Sequence, residues 1–579
     1  MSSISRLQAP VKTIGFVVDW MDGVYQNQIL EGARDAALDR GVHLLCFAGG
    51  MLRNELRGGA RRNATFDVIG PESVDGVILM AGTIGNRVGT DELLAYCERF
   101  GRIPRASIAV ELPGIASILV DNRTGIESAI THLIRTHSCQ KIAFVRGPDA
   151  NPEAELRYGV YRSTLTANGI EIDEQLIAPG EFLAESGRRA VATFYDDRKQ
   201  RPDAIVAAND QMAIGVLEAL AARGIRVPDD VAVVGFDDIE EARFTSPPLT
   251  TVRQPLYEQG REAVRLVLSG VYGGSLPERV TLHTEFVARR SCRCFAEGSR
   301  LPAAGFPKRA SFEAALVERR QLVLADLARA ARGSFGILGS GWEARLVGAL
   351  TSDLRGDTTT AFRLHLEGML IKLLEQRSDF NLSHDVLSVL RKHLLSCVEA
   401  DPERRAQVED LFHEARLLIG QVSERAQAQQ KLAIAGWAGA LVQTGAALLA
   451  STDVSQLQAA VAEHFPLLGI KSCYLALYGA DIESPSELLI AYNENARPLR
   501  LESNERRPRF LPRKLLDAGV AKGFYVATVY SAERVLGYLL LDLGKRDGVV
   551  YEALREFLNA ALRGVELNRL SRATQPPGP

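Results

Sequence analysis

Along the first half of the chain, short and mostly apolar runs alternate with stretches whose apolar positions recur every three or four residues. Ile14–Val18, His43–Phe47, Val74–Met80, Ser117–Val120, Lys141–Val145, Ala204–Ala207 and Val231–Gly235 are of the first kind. Gln26–Arg40, Leu93–Phe100, Glu127–Thr136, Glu155–Asn168 and Met212–Ala222 are of the second. Apolar strands buried on both faces, each followed by an amphipathic helix, predict parallel sheets covered by helices. Residues 12–294 are more than one such sheet needs, so two α/β lobes with a cleft between them are expected. Ligands in open α/β sheets bind beyond the carboxyl ends of the strands. The residues that follow each strand therefore carry the candidate chemistry.

Three of these positions stand out. Ile205-Val206-Ala207-Ala208 runs into Asn209-Asp210-Gln211, and Val231-Ala232-Val233-Val234-Gly235 runs into Phe236-Asp237-Asp238. The loop after Lys141–Val145 leads to Arg157-Tyr158-Gly159. A guanidinium fork and an amide supply donors, and a carboxylate accepts from paired hydroxyls, a set that suits neutral polyols or heterocycles. The competing reading has Asn209 and Asp237 as helix caps and Arg157 as a surface charge.

Pro202-Asp203-Ala204-Ile205-Val206-Ala207-Ala208-Asn209-Asp210-Gln211-Met212-Ala213-Ile214-Gly215 resembles the sensor domain of LacI/GalR-type regulators. Val227-Pro228-Asp229-Asp230-Val231, Val234-Gly235-Phe236-Asp237-Asp238 and Ser246-Pro247-Pro248-Leu249-Thr250-Thr251-Val252 continue the resemblance in the family's order. Val120-Asp121-Asn122 with Gly125, and His132-Leu133-Ile134 ahead of Lys141-Ile142-Ala143-Phe144, add to it. The resemblance implies a type I periplasmic-binding-protein fold: two α/β lobes, joined by crossover strands, that close on a small-molecule effector. It also implies that Arg157, Asn209 and Asp237 bind that effector. Trp20 and Tyr25, in the loop after the first strand, are candidates for stacking on a ring. There are two departures. Ser138-Cys139 stands where the family has Gly-His. Family repressors carry a helix-turn-helix ahead of the sensor, whereas Met1–Pro10 is too short for a recognition helix, which argues against direct DNA contact.

The second half has a different texture. Residues 295–310, with Pro302 and Pro307, read as a linker. Cys292-x-Cys294 precedes it, and no other Cys or His pair lies nearby in sequence, so the two read as strand-end cysteines and no metal is expected. From Ser311 the pattern turns helical, and residues 311–435 read as a helical relay. Val408, Leu411, Ala415, Leu418 and Val422 form a short heptad seam, suited either to a paired helix or to the core of a local bundle. Leu432–Ala450 has the length of a membrane span, but its Ala and Gly content, with Gln443 and Thr444, favours a buried soluble helix. Residues 436–571 show two helices, antiparallel strands and a closing helix. Together with Leu536-Gly537-Tyr538-Leu539-Leu540-Leu541-Asp542, this order is similar to a GAF-type sensory domain. Residues 572–579 read as a disordered tail.

Composition narrows the function. The chain of 579 residues is 46% hydrophobic and 24% charged, ordinary for packed α/β domains. Its 68 Lys+Arg against 71 Asp+Glu create no overall field for nucleic acid or an anionic membrane. Seven scattered cysteines are no disulfide framework and suit the cytosol. No phosphate-binding loop and no G-G-D-E-F signature occurs, and His413 reads as a solvated helix histidine rather than a phosphoacceptor. The expectation is a cytoplasmic, non-enzymatic sensor of a sugar- or nucleobase-like effector, with no cofactor and no membrane contact. It would form a homodimer and relay lobe closure either to that dimer or to a separate output protein such as a transcription factor, kinase or cyclase. The alternatives are a LacI-family regulator acting on DNA, directly or through a partner, and a sensor subunit of a cyclase or histidine-kinase system.

Overall fold

The computed structural model describes residues 11–54, 59–294, 312–331, 335–375, 382–398, 401–478, 486–493, 522–531, 534–544 and 548–574. The expected linker and positions 575–579 of the expected tail lie outside these. The chain divides into two compact units, residues 1–295 with 439–579, and residues 296–438.

In the first unit, β1 (Thr13–Val18), β2 (His43–Ala48), β3 (Gly76–Leu79), β4 (Arg105–Ile108) and β5 (Ala116–Val120) build lobe 1. β1 lies between β2 and β3, parallel to both, with Phe16 paired to Cys46 on one side and Ile78 on the other. Lobe 2 contains β6 (Ile142–Val145), β7 (Ile177–Ala178), β8 (Ala204–Ala207) and β9 (Ala232–Val234), in the parallel order β7-β6-β8-β9. Helix pairs pack unusually close in both lobes. A Cβ on Gly32 would lie 1.9 Å from the Tyr257 carbonyl, and one on Gly260 would lie 1.9 Å from that of Ile29. Gly187 and Gly215 do the same in lobe 2, against Met212 at 2.0 Å and Ala184 at 1.9 Å.

The chain crosses between the lobes three times. It leaves β5 for the helix Asn122–His137 in lobe 2 and returns through β10 (Thr251–Arg253) to the helix Leu256–Val271. After β11 (Arg279–Leu282), which pairs with β5, it crosses again through β12 (Glu285–Val287), antiparallel to β10. This is the expected two-lobed architecture with crossover strands.

The C-terminal strands differ from expectation. β13 (Ser472–Tyr478), β14 (Ser486–Asn493), β15 (Gly523–Ser531) and β16 (Arg534–Asp542) are antiparallel among themselves, as the sequence suggests. They do not form a sheet of their own. β15 runs parallel to β2, Tyr525 opposite Cys46, and one ten-stranded sheet results. β2 would otherwise end lobe 1 with a row of unpaired N–H and C=O groups, and β15 satisfies that edge. Periodicity predicts that a strand exists but not which edge it joins. The seam is tight: Leu44 N–H donates to the Lys522 carbonyl at 3.0 Å, and the Thr65 and Thr528 hydroxyls are 3.0 Å apart. A Cβ on Gly548, at the start of the helix Gly548–Thr574, would lie 1.4 Å from the Met21 carbonyl, so only glycine fits there.

In the second unit the helices Phe312–Ala330, Trp342–Arg355, Ala361–Glu375 and Leu382–Cys397 share a core with the first half of the helix Pro402–Ala450. Val408, Ala415, Leu418 and Val422 of the heptad seam are buried in that core with Phe412 and Ile419, the local-bundle alternative. Residues 432–450 continue the same helix, with Thr444 and Leu448 fully buried but Leu432 (73% exposed) and Val442 (71%) facing outward, so it is buried on one face only rather than throughout. Among the described residues, no helix is long and apolar enough to cross a membrane.

Candidate functional site

The ends of β8 and β9 and the helix Pro152–Ala167 bring the predicted side chains together. Asn209 has extended backbone and caps the helix Asp210–Ala222, its Oδ1 accepting from Met212 N–H at 3.0 Å. Its Nδ2 donates to the Phe182 carbonyl at 3.1 Å. Capping and site placement are thus one role, since the cap sits at the strand's carboxyl end.

Past β9 the backbone is strained. Asp237 has φ 127° and Asp238 φ 57°, a region L side chains avoid. Such residues cost about 1–3 kcal/mol each and persist where their surroundings over-determine them. Here Asp237 N–H donates to the Val252 carbonyl (2.8 Å), and the Asp237 carbonyl accepts from Gln254 N–H (3.1 Å). The fully buried Asp238 carboxylate is held by Arg289 (2.5 Å), Arg253 (2.7 Å) and Arg243 (3.6 Å). Burial raises its pKa, but the three arginines outweigh burial and hold it below the usual range. Asp237 itself accepts from Gln254 Nε2 at 2.6 Å. Burial pushes its carboxyl up to about 7, against Arg157 and the Gln254 bond, with Glu153 adding to the rise. Neighbouring Asp210 is also raised, by burial first and then by the charge of Asp237, although the Thr251 hydroxyl (2.6 Å) and Ile239 N–H (3.0 Å) favour its anion.

Arg157 is not a surface charge; it is 2% exposed. Its Nε donates to Asn122 Oδ1 (2.7 Å), Nη1 to the Ala208 carbonyl (2.8 Å) and Nη2 to Glu153 (3.4 Å). The guanidinium carbon lies 3.9 Å from the centre of the Phe236 ring. Three of a guanidinium's five N–H groups are engaged this way, which fixes the fork while leaving donor capacity.

Tyr25, in the first turn of the helix Val24–Asp39 of lobe 1, lies within electrostatic reach of this set. Burial raises its hydroxyl pKa most, followed by the carboxylates of Glu153 and Asp237, while Arg157 lowers it. Trp20 is placed differently: its ring lies under Arg62, 4.4 Å from the guanidinium carbon, beside the seam with the C-terminal strands. The lobes touch where Asn151 Nδ2 donates to the Gly82 carbonyl (3.0 Å) and to Asn86 Oδ1 (2.7 Å).

Asn122, Glu153, Gln254 and Asp210 belong to the site's polar frame and were not among the sequence candidates. Signals for three existed, and Asp210 stands in the Asn209-Asp210-Gln211 junction itself. Glu153 and Arg157 are four apart on one helix, and Asn122 lies within the Val120-Asp121-Asn122 motif. Gln254 carried none. Cys292 and Cys294, read as strand-end cysteines, sit against His132 and His137, which are distant in sequence.

Comparison with known proteins bears on the family of the sensor half. A family model described as a periplasmic binding protein-like domain matches residues 130–292. The HTH-type transcriptional repressor CytR of Escherichia coli strain K12 is 30% identical over 268 residues, covering 45% of this chain and 73% of that repressor. The HTH-type transcriptional regulator CelR of Thermobifida fusca is 38% identical over 178 residues, 31% of this chain and 52% of that one. A solved transcriptional regulator CelR–cellobiose complex is 30% identical, with a TM-score of 0.42, covering 49% of this chain and 86% of that one. The relatives are transcriptional regulators rather than enzymes, and the chain belongs to the LacI-type family of transcriptional regulators, with a periplasmic-binding-protein-like sensor domain in its first half.

Proposed function

We propose that the chain is a cytoplasmic effector-sensing regulator in which a neutral, hydroxyl-rich or heterocyclic small molecule binds between the lobes. Arg157 and Asn209 donate to it, Asp237 accepts from its hydroxyl or ring N–H groups, and Tyr25 contacts it from lobe 1. The observation that carries this reading is Asp237, a strained and buried carboxyl hydrogen-bonded by Gln254 and within electrostatic reach of the buried Arg157 fork and of Tyr25. A ligand that favours the closed lobes shifts the population towards them, by no more than its differential affinity for the two states.

The relay starts at the loop after β1. Met21 N–H donates to Glu552 at 3.4 Å, and Arg62, beside Trp20, pairs with Glu552 at 2.8 Å. Movement of that loop on closure would reach the C-terminal strands and helix directly. These take the part of the GAF-like domain, as a transmitting and dimerising element. Similarity to HTH-type repressors favours a homodimer whose output is transcription, on DNA or through a DNA-binding partner, over a kinase or cyclase output. A gel shift of the full chain on genomic fragments at low salt tests the DNA arm.

A thermal-shift screen of the full chain against sugars, nucleosides and amino acids tests the sensor. A ligand at about 100 times its dissociation constant adds about 2.7 kcal/mol. A hit that disappears in Asp237→Asn supports the site. A hit unaffected by both Asp237→Asn and Asn209→Ala would overturn it.

A further inference from the structure

The helix Asn122–His137 ends in lobe 2 with His132 and His137 on neighbouring turns, and Ser138 reverses the chain in a left-handed conformation (φ 56°). The third crossover, past β12, ends beside it. There Arg293 (φ 73°) sits in a tight turn between Cys292 and Cys294, its side chain anchored on the Pro228 (2.8 Å) and Asp229 (2.7 Å) carbonyls. Two histidines and two cysteines, each histidine 155 or more residues from each cysteine, thus converge on one point. A ligand atom from each lies within 4.8 Å of every other.

The distances have the dimensions of a coordination sphere. His132 Nε2 is 3.1 Å from His137 Nε2, 3.3 Å from Cys294 Sγ and 3.6 Å from Cys292 Sγ, and His137 Nε2 is 3.4 Å from Cys294 Sγ. With Zn–N of about 2.0–2.1 Å and Zn–S of about 2.3 Å, a regular tetrahedron has edges of about 3.3 Å between nitrogens and about 3.6 Å between nitrogen and sulfur. Hydrogen bonding accounts for the cluster poorly. His132 Nε2 faces three partners at once, but an imidazole nitrogen carries either one hydrogen or one lone pair. A central cation satisfies all four atoms together.

We propose that His132, His137, Cys292 and Cys294 form a structural zinc site. Two thiolates balance the charge of the ion, and an S2N2 tetrahedral set selects zinc among common divalent metals. Four protein ligands leave no open position, so the site staples rather than catalyses. The Thr136 hydroxyl, 3.4 Å from His132 Nδ1, holds the ring from behind. The ion would fasten the end of the third crossover to lobe 2, where the chain leaves the sensor. The ring of Phe286, in β12, packs 4.9 Å from that of His132 and carries the constraint into the crossover.

The test uses the full chain, stripped with chelator under a non-thiol reductant and titrated with zinc chloride, then separately with cobalt(II) chloride as a spectroscopic probe. The expected result is one zinc per chain with a dissociation constant of about 10 nM or tighter. Cobalt should give tetrahedral d–d bands and thiolate charge transfer. Cys294→Ser should weaken zinc at least about 100-fold and remove about half of the charge-transfer intensity. His137→Ala should weaken zinc similarly, and Cys397→Ser should change nothing. Octahedral cobalt without thiolate charge transfer in the unmutated chain overturns the proposal whatever the variants do. So does zinc uptake that survives both Cys294→Ser and His137→Ala, or a Cys292–Cys294 disulfide that persists under reductant.

Discussion

Replacing Glu552 with alanine removes a carboxylate from between two buried arginines at the seam of β2 and β15. Glu552 accepts from Arg62 at 2.8 and 3.0 Å and from Met21 N–H at 3.4 Å, and it lies 3.6 Å from Arg555. The Arg62 and Arg555 side chains are 2% and 1% exposed, and that of Glu552 is 13% exposed. Breaking a buried pair from one side costs about 3–5 kcal/mol, because the remaining charge stays desolvated. Arg555 keeps Glu556 as a partner, which puts Glu552→Ala near the lower end of that range. About 3 kcal/mol corresponds to roughly two orders of magnitude in the local opening equilibrium. Hydrogen exchange of seam amides measures this, at Leu44 N–H bonded to the Lys522 carbonyl and Thr528 N–H bonded to Thr65 Oγ1. Arg62→Leu with Glu552→Leu should recover much of the protection, since neither charge is then buried alone. A change in exchange of less than about threefold in Glu552→Ala, under 1 kcal/mol, would refute the idea that this network clamps the seam.

Arg157→Ala should destabilise lobe 2 by about 3–5 kcal/mol in urea unfolding even without effector, because it orphans Asn122 Oδ1, the Ala208 carbonyl and Glu153. Arg157→Lys should recover only part of that, since an ammonium cannot make the fork. For Asp237, a folded-state pKa of about 7 lies above the unfolded value of about 3.9, so its stabilising contribution is complete below that lower value and is lost as pH rises through 7. Melting temperature across this window should fall less in Asp237→Asn than in the unmutated chain. An effector that donates to the Asp237 anion should bind more tightly as pH rises towards 7 and release a proton, measurable by calorimetry in buffers of different ionisation enthalpy. No proton release would refute that role.

The local elements of the sensor were legible in the order of its residues. Apolar runs such as Ala204–Ala207, alternating with amphipathic helical stretches, read as strands covered on both faces, and the strand-then-polar junctions marked Asn209 and Asp237 as candidates that a helix-cap reading also fitted. Side-chain period and strand-end chemistry are properties of a few consecutive residues, so a sequence displays them directly. Pairings made at long range emerged only in the packed chain. β15 joins β2 because lobe 1 leaves that edge unsatisfied, and no periodicity records which edge is open. Arg157 changes from a possible surface charge to a buried fork because Asn122, Ala208 and Glu153 surround it. Cys292 and Cys294 look like strand ends until the third crossover returns them to His132 and His137. In each case a buried polar group is compensated by partners that are mostly far along the chain, and that proximity exists only once the lobes have packed.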